Sequence, residues 1–315
     1  MAELVPEKDH ARLGPSGWHT WSACPGSIPL SEGIVDKGST YANEGTAAHS
    51  LLETCLADGF DAEDLLGRKY EVGGEVFTVD MDMADAVNEA AAYVRNLIDP
   101  ARGDVLMLEQ SVPIDHLTGE TGACGTSDVV GIVDGGKTLI VADYKHGRGV
   151  MVYASERNPE SDLQGINLDF PNGQLAMYAL GTLEKLGLVY DEIERVKLVV
   201  LQPRKDWFDE FELSVDELRA FGEEVKIAAG RVELEIQRYA LGEELQLNPG
   251  EKQCKFCKAK AICPALKMAV SNSLEIVSSA SDFDDLTLPK QASSVTIGDQ
   301  TDPAKLAEFM RAAPL

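Results

Sequence analysis

Asp128, closing Gly125-Thr126-Ser127-Asp128, and Asp143, in Val141-Ala142-Asp143-Tyr144-Lys145, are two carboxylates carried by strand-forming runs on either side of a tight turn. Two carboxylates at neighbouring strand ends can share a hard divalent cation, which as Mg2+ takes oxygen ligands in near-octahedral order. Asp143 and Lys145 stand two apart on a strand, so both side chains leave the same face. An ammonium beside the metal can orient an attacking water or neutralise charge developing on a phosphoryl group. These are the parts of a phosphodiester hydrolase. Taken alone, D-x-K is a common tripeptide that polar strand ends also explain, so its neighbours decide its meaning.

Those neighbours lie on elements that the patterning predicts. Ala48, Leu51, Leu52 and Cys55 recur at helical spacing, which predicts a helix from about Tyr41 to Ala57 ended by Asp58-Gly59. Glu44-Gly45-Thr46-Ala47-Ala48-His49 places an imidazole on it, and a nitrogen there suits Mn2+ or Mg2+ as an extra ligand. A further helix is expected from Met81 to Ile98. Beyond it, strands are expected over Val105–Val112, Ser127–Val133 and Thr138–Val141, with Asp134-Gly135-Gly136 as the hairpin turn. Val152 to Pro171 reads as a loop. Asn172-Gly173 opens a helix to Leu186, on which Gln174 and Tyr178 share one face. Facing the sheet, they can hold a scissile phosphate or orient Lys145; facing solvent, they do nothing. A strand over Val196–Gln202, a hairpin through Trp207 to Leu213 and an acidic helix from Val215 to Tyr239 complete the body.

A second constellation is built of thiols. Cys254-x2-Cys257-x5-Cys263-Pro264 offers three ligands, and Cys24-Pro25 stands far upstream as the fourth. Such spacing can wrap one metal centre, and Cys followed by Pro is a feature of ferredoxin ligands. A structural zinc more often takes two paired knuckles or a nearby His. An iron-sulfur cluster, a zinc ion and reduced free thiols are the three readings, in that order of preference. Cys55 and Cys124 are expected to be small buried hydrophobes.

In order, the chain presents His49 in GTAAH, Asp128 in GTSD, Asp143 and Lys145 in DYK, and Gln174 and Tyr178 in QLAMY. This succession resembles the RecB-like branch of the PD-(D/E)XK nucleases, over a stretch from about Pro15 to Pro264. The resemblance implies a restriction-endonuclease-like α/β core, a mixed central sheet flanked by helices. It assigns His49, Asp128 and Asp143 to the metal, with Glu109 as a further acidic ligand from the preceding strand. Asp128, Asp143, Lys145, Gln174 and Tyr178 form its catalytic set. One Cys before the core and three after it resemble the 4Fe-4S staple of AddB-type helicase-nucleases and CRISPR-adaptation nucleases, which implies that Cys24, Cys254, Cys257 and Cys263 tie the terminal segments together. The segment from about Arg157 to Pro171 departs from the pattern as an insert. With no helicase motif, the chain looks like the stand-alone members carried by phages.

Composition sets the frame. The chain has 315 residues, 44% hydrophobic and 26% charged, enough for a substantial core. One nuclease domain is expected over 15–270, after an N-terminal extension over 1–14 and before a linker-like tail over 271–315 holding a short helix at Pro303 to Met310. A formal net charge of -25 argues against nucleic acid, because phosphate binding rests on Lys and Arg. Two segments run the other way: Lys145-His146-Gly147-Arg148, and Lys252 to Lys267, with five lysines and no acid. The expected activity is Mg2+- or Mn2+-dependent cleavage of DNA, at ends or single strands, since no base-reading module is present. A recombinase or single-strand-binding protein is the expected protein partner. A non-catalytic DNA-end or protein-interaction module retaining the fold is the alternative. The start lacks a basic and an apolar leader region, and no apolar run reaches roughly 18 residues, so a cytoplasmic location without membrane contact, in the host if phage-encoded, is expected.

Overall fold

β-Branched and apolar residues alternate along the middle of the chain, and each alternation becomes a strand with one face on each of two packed layers. The computed structural model describes residues 2–5, 11–34, 38–156 and 169–279. Its strands are β1 (Glu3–Leu4), β2 (Lys69–Val72), β3 (Glu75–Thr78), β4 (Val105–Pro113), β5 (Cys124–Val133), β6 (Thr138–Tyr144), β7 (Ser155–Glu156), β8 (Phe170–Pro171), β9 (Arg195–Gln202) and β10 (Trp207–Ser214). Its α-helices are α1 (Trp18–Trp21), α2 (Ser27–Leu30), α3 (Thr40–Asp58), α4 (Met81–Leu97), α5 (Asp115–Thr118), α6 (Gly173–Leu186), α7 (Val215–Ala240), α8 (Glu251–Lys255) and α9 (Pro264–Ser279). By their contacts the described residues fall into two compact units, one within 1–16 and 37–227 and the other within 17–36 and 228–279.

The first unit is mixed α/β. Its five-stranded sheet has the order β10-β9-β6-β5-β4, antiparallel except for the parallel pair β6 and β9. Ala47, Ala48, Leu51 and Leu52 of α3 and Met83, Val87 and Val94 of α4 bury against Val129, Ile140, Ala142 and Tyr144. Alternation turns Leu139, Val141 and Asp143 to the opposite face, where α6 lies. Gly181 allows that packing, because a Cβ there would stand 2.6 Å from the Pro113 carbonyl oxygen. Both site-bearing helices have side-chain caps: Ser39 accepts from the Ala42 amide, and Asn172 from those of Gln174 and Leu175.

Several boundaries differ from those the sequence suggests. Residues 3–4 of the expected extension form β1, parallel to β2, and β2 and β3 make an unexpected hairpin through Gly73-Gly74. The strands β5 and β6 run beyond their expected ends, to Cys124 and Tyr144. The expected loop 152–171 carries β7 and β8 near its two ends. Its central residues 157–168, most of the insert, lie outside the described residues, as does the Pro303 to Met310 segment. Pro15–Gly17 forms a 3-10 turn leading into α1, and α9 continues through 271–279 where a linker was expected.

The second unit holds α1, α2, α8, α9 and the C-terminal part of α7. One of its apolar clusters joins Cys263, Leu266 and Val270, with Leu30, Leu247, Cys254 and Ala265 packed around them, and Trp21, Ala228, Ala229, Val232 and Ala259 are buried in the unit as well. Gly26 has no room for a side chain, since a Cβ would lie 2.7 Å from the Gln246 carbonyl oxygen.

Candidate functional site

The antiparallel ladder between β5 and β6 ends at Val129 opposite Ala142, so Asp128 and Asp143 stand just past it, where the strands part. The Asp128 carboxylate is held twice. Its Oδ2 accepts from the Tyr144 amide at 2.8 Å and lies 3.2 Å from His49 Nδ1. Burial works against the charge on Asp128, but His49 and that amide hold its carboxyl below the usual range. For His49, burial opposes protonation and Asp128 outweighs it, so the imidazole titrates above its ordinary value.

Glu109 completes this corner. It is one of three non-glycine residues with positive φ among the described residues, at 48°. The ladder pairs Leu108 with Val129 and Gln110 with Ser127 and skips Glu109, which breaks the regular alternation of β4. Ligand atoms of His49, Glu109 and Asp128 all lie within 4.8 Å of one another, a spacing that one cation can bridge. A left-handed, non-glycine residue costs about 1–3 kcal/mol, a cost typical of functional sites. Glu109→Gly is therefore expected to keep or raise thermal stability while weakening divalent-ion binding. A melting curve and a Mn2+ titration check it, and a large loss of stability would contradict it.

Asp143 sits outside that triad of ligand atoms, and its oxygens are otherwise engaged. Lys145 Nζ lies 2.7 Å from Oδ2, and Gln174 Nε2 donates to Oδ1 at 3.0 Å. Gln174 closes the ring: its Oε1 accepts from Lys145 Nζ at 3.2 Å, and its Nε2 also donates to the Tyr178 hydroxyl at 3.2 Å. Burial, aided by Asp128, pushes the Asp143 carboxyl up against the pull of Lys145. Burial opposes the charge on Lys145, but Asp143 prevails and keeps it an ammonium. Tyr178, buried, keeps its proton. Thus the sequence-derived residues His49, Glu109, Asp128, Asp143, Lys145, Gln174 and Tyr178 meet at one end of the sheet, in two linked groups. The G-x-x-D glycine has a steric role: a Cβ on Gly125 would stand 2.8 Å from the Tyr178 ring. Gly125→Ala is expected to displace that ring, costing about 1–3 kcal/mol by overpacking and lowering activity with it. Thermal melts and cleavage rates measure both, and unchanged values would mean the ring has room.

Sequence reasoning missed a layer behind the site. The Tyr144 hydroxyl pairs with His146 Nδ1 at 2.8 Å, and His146 Nε2 stands 3.4 Å from Glu44 Oε1. Arg204 reaches that same oxygen at 3.1 Å and also binds Asp82, which Arg148 binds from its other oxygen. Burial first, then the Arg204 charge, push the His146 imidazole down to about 4, so it is neutral. The one available signal was the i, i+2 spacing of Tyr144 and His146. In the same network Lys145 is paired with Asp143 and Arg148 with Asp82.

In the second unit, Cys24, Cys254, Cys257 and Cys263 line one cavity with Leu247 and Leu266. Backbone amides point at three of the sulfurs: Asn248 to Cys24 at 3.2 Å, Gly250 to Cys254 at 3.3 Å and Leu266 to Cys263 at 3.4 Å. Burial, and the proximity of the other three thiols, raise the Cys24 thiol. Cys55 is buried as expected and its thiol is pushed up to about 11 by burial, whereas Cys124 is exposed, because the pleat at the start of β5 turns it outward. No helix among the described residues is long and apolar enough to cross a membrane.

A family model described as "Protein of unknown function (DUF2800)" matches residues 10–305. Among solved structures, one titled "Crystal structure of SSO0001" is 18% identical, with 57% of this chain and 71% of that chain covered and a TM-score of 0.24, too low to bear on the fold.

Proposed function

The chain belongs to the DUF2800 family, which is described without an activity, and on the site itself we propose that it is a metal-dependent DNA nuclease of the RecB-like PD-(D/E)XK kind. The observation that carries the reading is the Asp143–Lys145–Gln174 ring set beside the His49–Glu109–Asp128 corner. His49, Glu109 and Asp128 would hold Mg2+ or Mn2+, with Asp143 joining when Lys145 turns to a water. The donor set fits: two or three carboxylates and one imidazole suit these ions. When bound, the ion supplies polarisation of a phosphate oxygen and an acidified water. Lys145 is then positioned to orient that water and offset charge on the phosphate, Gln174 fixes the Lys145 head, and Tyr178 fixes Gln174. End-labelled linear and circular DNA, single- and double-stranded, incubated with Mg2+ or Mn2+, tests this. Loss of label from linear substrates is expected; intact DNA under every condition overturns the reading.

The four thiols support a 4Fe-4S cluster in the same proposal, within the second unit. All four are directed into one cavity, and amide hydrogen bonds to the sulfurs are a means by which such clusters are tuned. The all-cysteine set favours iron-sulfur over zinc only in combination with the Cys-Pro pairs. Acting on ends with a cytoplasmic location follows from the same reading, as does contact with a recombinase or single-strand-binding protein.

DNA contact is assigned to the cysteine segment. Lys252, Lys255 and Lys258 are exposed or partly exposed there, Lys260 and Lys267 half-buried, and the exposed Phe256 ring lies 5.9 Å from Lys255 Nζ. Converting Lys252, Lys255 and Lys258 to Gln is expected to flatten the log-log dependence of DNA affinity on salt, by about one unit for each phosphate-binding lysine removed. An unchanged slope, measured in Ca2+, would move the DNA path elsewhere.

A further inference from the structure

We propose that Tyr144 and His146 are positioning residues for the metal site: the buried Tyr144–His146–Glu44 chain holds the Tyr144 ring against His49 and thereby sets the direction of the His49 imidazole. The inference rests on the nuclease reading for the role of His49, and on the geometry for the rest.

Tyr144 touches both nitrogen and oxygen sides of the corner. Its amide donates to Asp128 Oδ2 at 2.8 Å, and its ring meets the His49 imidazole edge-on, with centroids 5.3 Å apart and planes at 72°. A tilted aromatic pair of this kind has a defined orientation. Packing alone would need only a phenyl ring at this fully buried position. The hydroxyl is instead partnered by His146, itself 3% exposed, at 2.8 Å. His146 Nε2 in turn stands 3.4 Å from Glu44 Oε1, close to it without a formed hydrogen bond, and Glu44 lies on α3 together with His49 and is held by Arg204. The chain therefore starts and ends on α3: from Glu44 through His146 and Tyr144 back to His49. Rotation of the Tyr144 ring would strand a buried hydroxyl and a buried imidazole nitrogen, which is costly enough to keep the ring in place. His49, with 27% of its side chain exposed, has no such enclosure of its own. The role resembles that of the carboxylates or carbonyls that orient metal-binding histidines elsewhere, here supplied by an aromatic edge.

The test is Mn2+ affinity of the full chain, read from the electron paramagnetic resonance of free Mn2+. The variants are Tyr144→Phe, His146→Phe, His49→Ala and the double variant His49→Ala/His146→Phe. Tyr144→Phe, which removes one oxygen and keeps the ring, guards against a His146 variant that does not fold. Tyr144→Phe and His146→Phe are each expected to weaken Mn2+ binding by about tenfold, the usual effect of losing an outer partner, and His49→Ala, which removes the ligand itself, by at least as much. In the His49→Ala background, His146→Phe is expected to have no further effect, because the two act through one imidazole. If His146→Phe weakens Mn2+ equally with and without His49, its role is general support of the fold and the proposal is overturned while the metal site stands. The same holds if neither Tyr144→Phe nor His146→Phe changes the affinity. If His49→Ala leaves the affinity at the parental value, the reading of His49 as a ligand fails, and this proposal fails with it.

Discussion

Asp128→Ala is expected to abolish Mn2+ binding and DNA cleavage together, whereas Lys145→Ala is expected to keep the ion and lose cleavage by about 10²–10³-fold, the scale of removing one preorganised charge or donor at a reacting group. The difference follows from where the two side chains lie. Asp128 is common to both His49 and the Glu109 corner, so its loss leaves an imidazole and one carboxylate, too few for a hard cation. Lys145 touches Asp143 and Gln174 and no member of the triad directly. Its removal frees Asp143 to face the ion and leaves nothing to orient the water. Asp143→Ala should be as damaging to rate as Lys145→Ala but worse for stability, because it leaves a partly buried ammonium without its carboxylate. Gln174→Ala and Tyr178→Phe should be milder, since each acts through Lys145. Binding measured in Ca2+, which fills carboxylate sites without supporting efficient hydrolysis, separates affinity from chemistry. Parental rates for both Asp128→Ala and Lys145→Ala in Mg2+ and Mn2+ would falsify the assignment and leave the binding-module alternative in its place.

Much of this site is legible in the sequence alone. The residues that meet at the sheet end are those whose spacing suggests chemistry, because period-2 alternation fixes which strand residues share a face, and a capped helix start fixes Gln174 and Tyr178. What local pattern does not contain is backbone conformation that breaks the pattern. Glu109 reads as one more residue of a strand, yet its positive φ, and the skipped rung opposite Asp128, are what bring its carboxylate into the corner. Nor does pattern report encounters between distant segments. His146 reads as part of a basic turn, and only the fold shows that Glu44 and Arg204 meet it from α3 and from the turn after β9, leaving it buried and neutral. The second unit is legible only through its thiols: residues 17–36 and 228–279 are far apart in sequence, and the spacing of Cys24 with Cys254, Cys257 and Cys263 is the one pattern that links them. The β2–β3 hairpin is a different kind of miss, since Val72-Gly73-Gly74-Glu75 carries a turn signal of its own.

Cys24→Ser is expected to remove iron and sulfide together and to destabilise the second unit by about 4 kcal/mol or more, the range reserved for a lost metal ligand or a comparable structural failure. The reason lies in what the four thiols connect. Cys263 packs in a buried cluster with Leu266 and Val270 of α9, and Cys24 comes from the distant N-terminal segment. A ligand set shared between segments so far apart in sequence acts as a staple. Cys24 is also the sole ligand candidate on the N-terminal segment, so its loss releases that segment, while Cys254, Cys257 and Cys263 stay within ten residues of sequence. Cys254→Ser, Cys257→Ser and Cys263→Ser should lose the cluster as well. Cys124→Ser, on an exposed thiol, is the control that should keep iron at the parental ratio; Cys55→Ala should keep iron too, although its buried site in the first unit makes it lose stability for packing reasons. The measurements are iron, acid-labile sulfide and zinc per chain on anaerobically prepared protein, and limited proteolysis within residues 228–279 before and after treatment with a chelator and an oxidant. A brown protein with iron and sulfide in equal amounts, and cleavage only after cluster loss, is the expected result. A colourless protein holding one zinc would keep the staple and change its metal, whereas a metal-free chain whose Cys24→Ser variant melts with the parent would mean the four thiols line the cavity without holding anything.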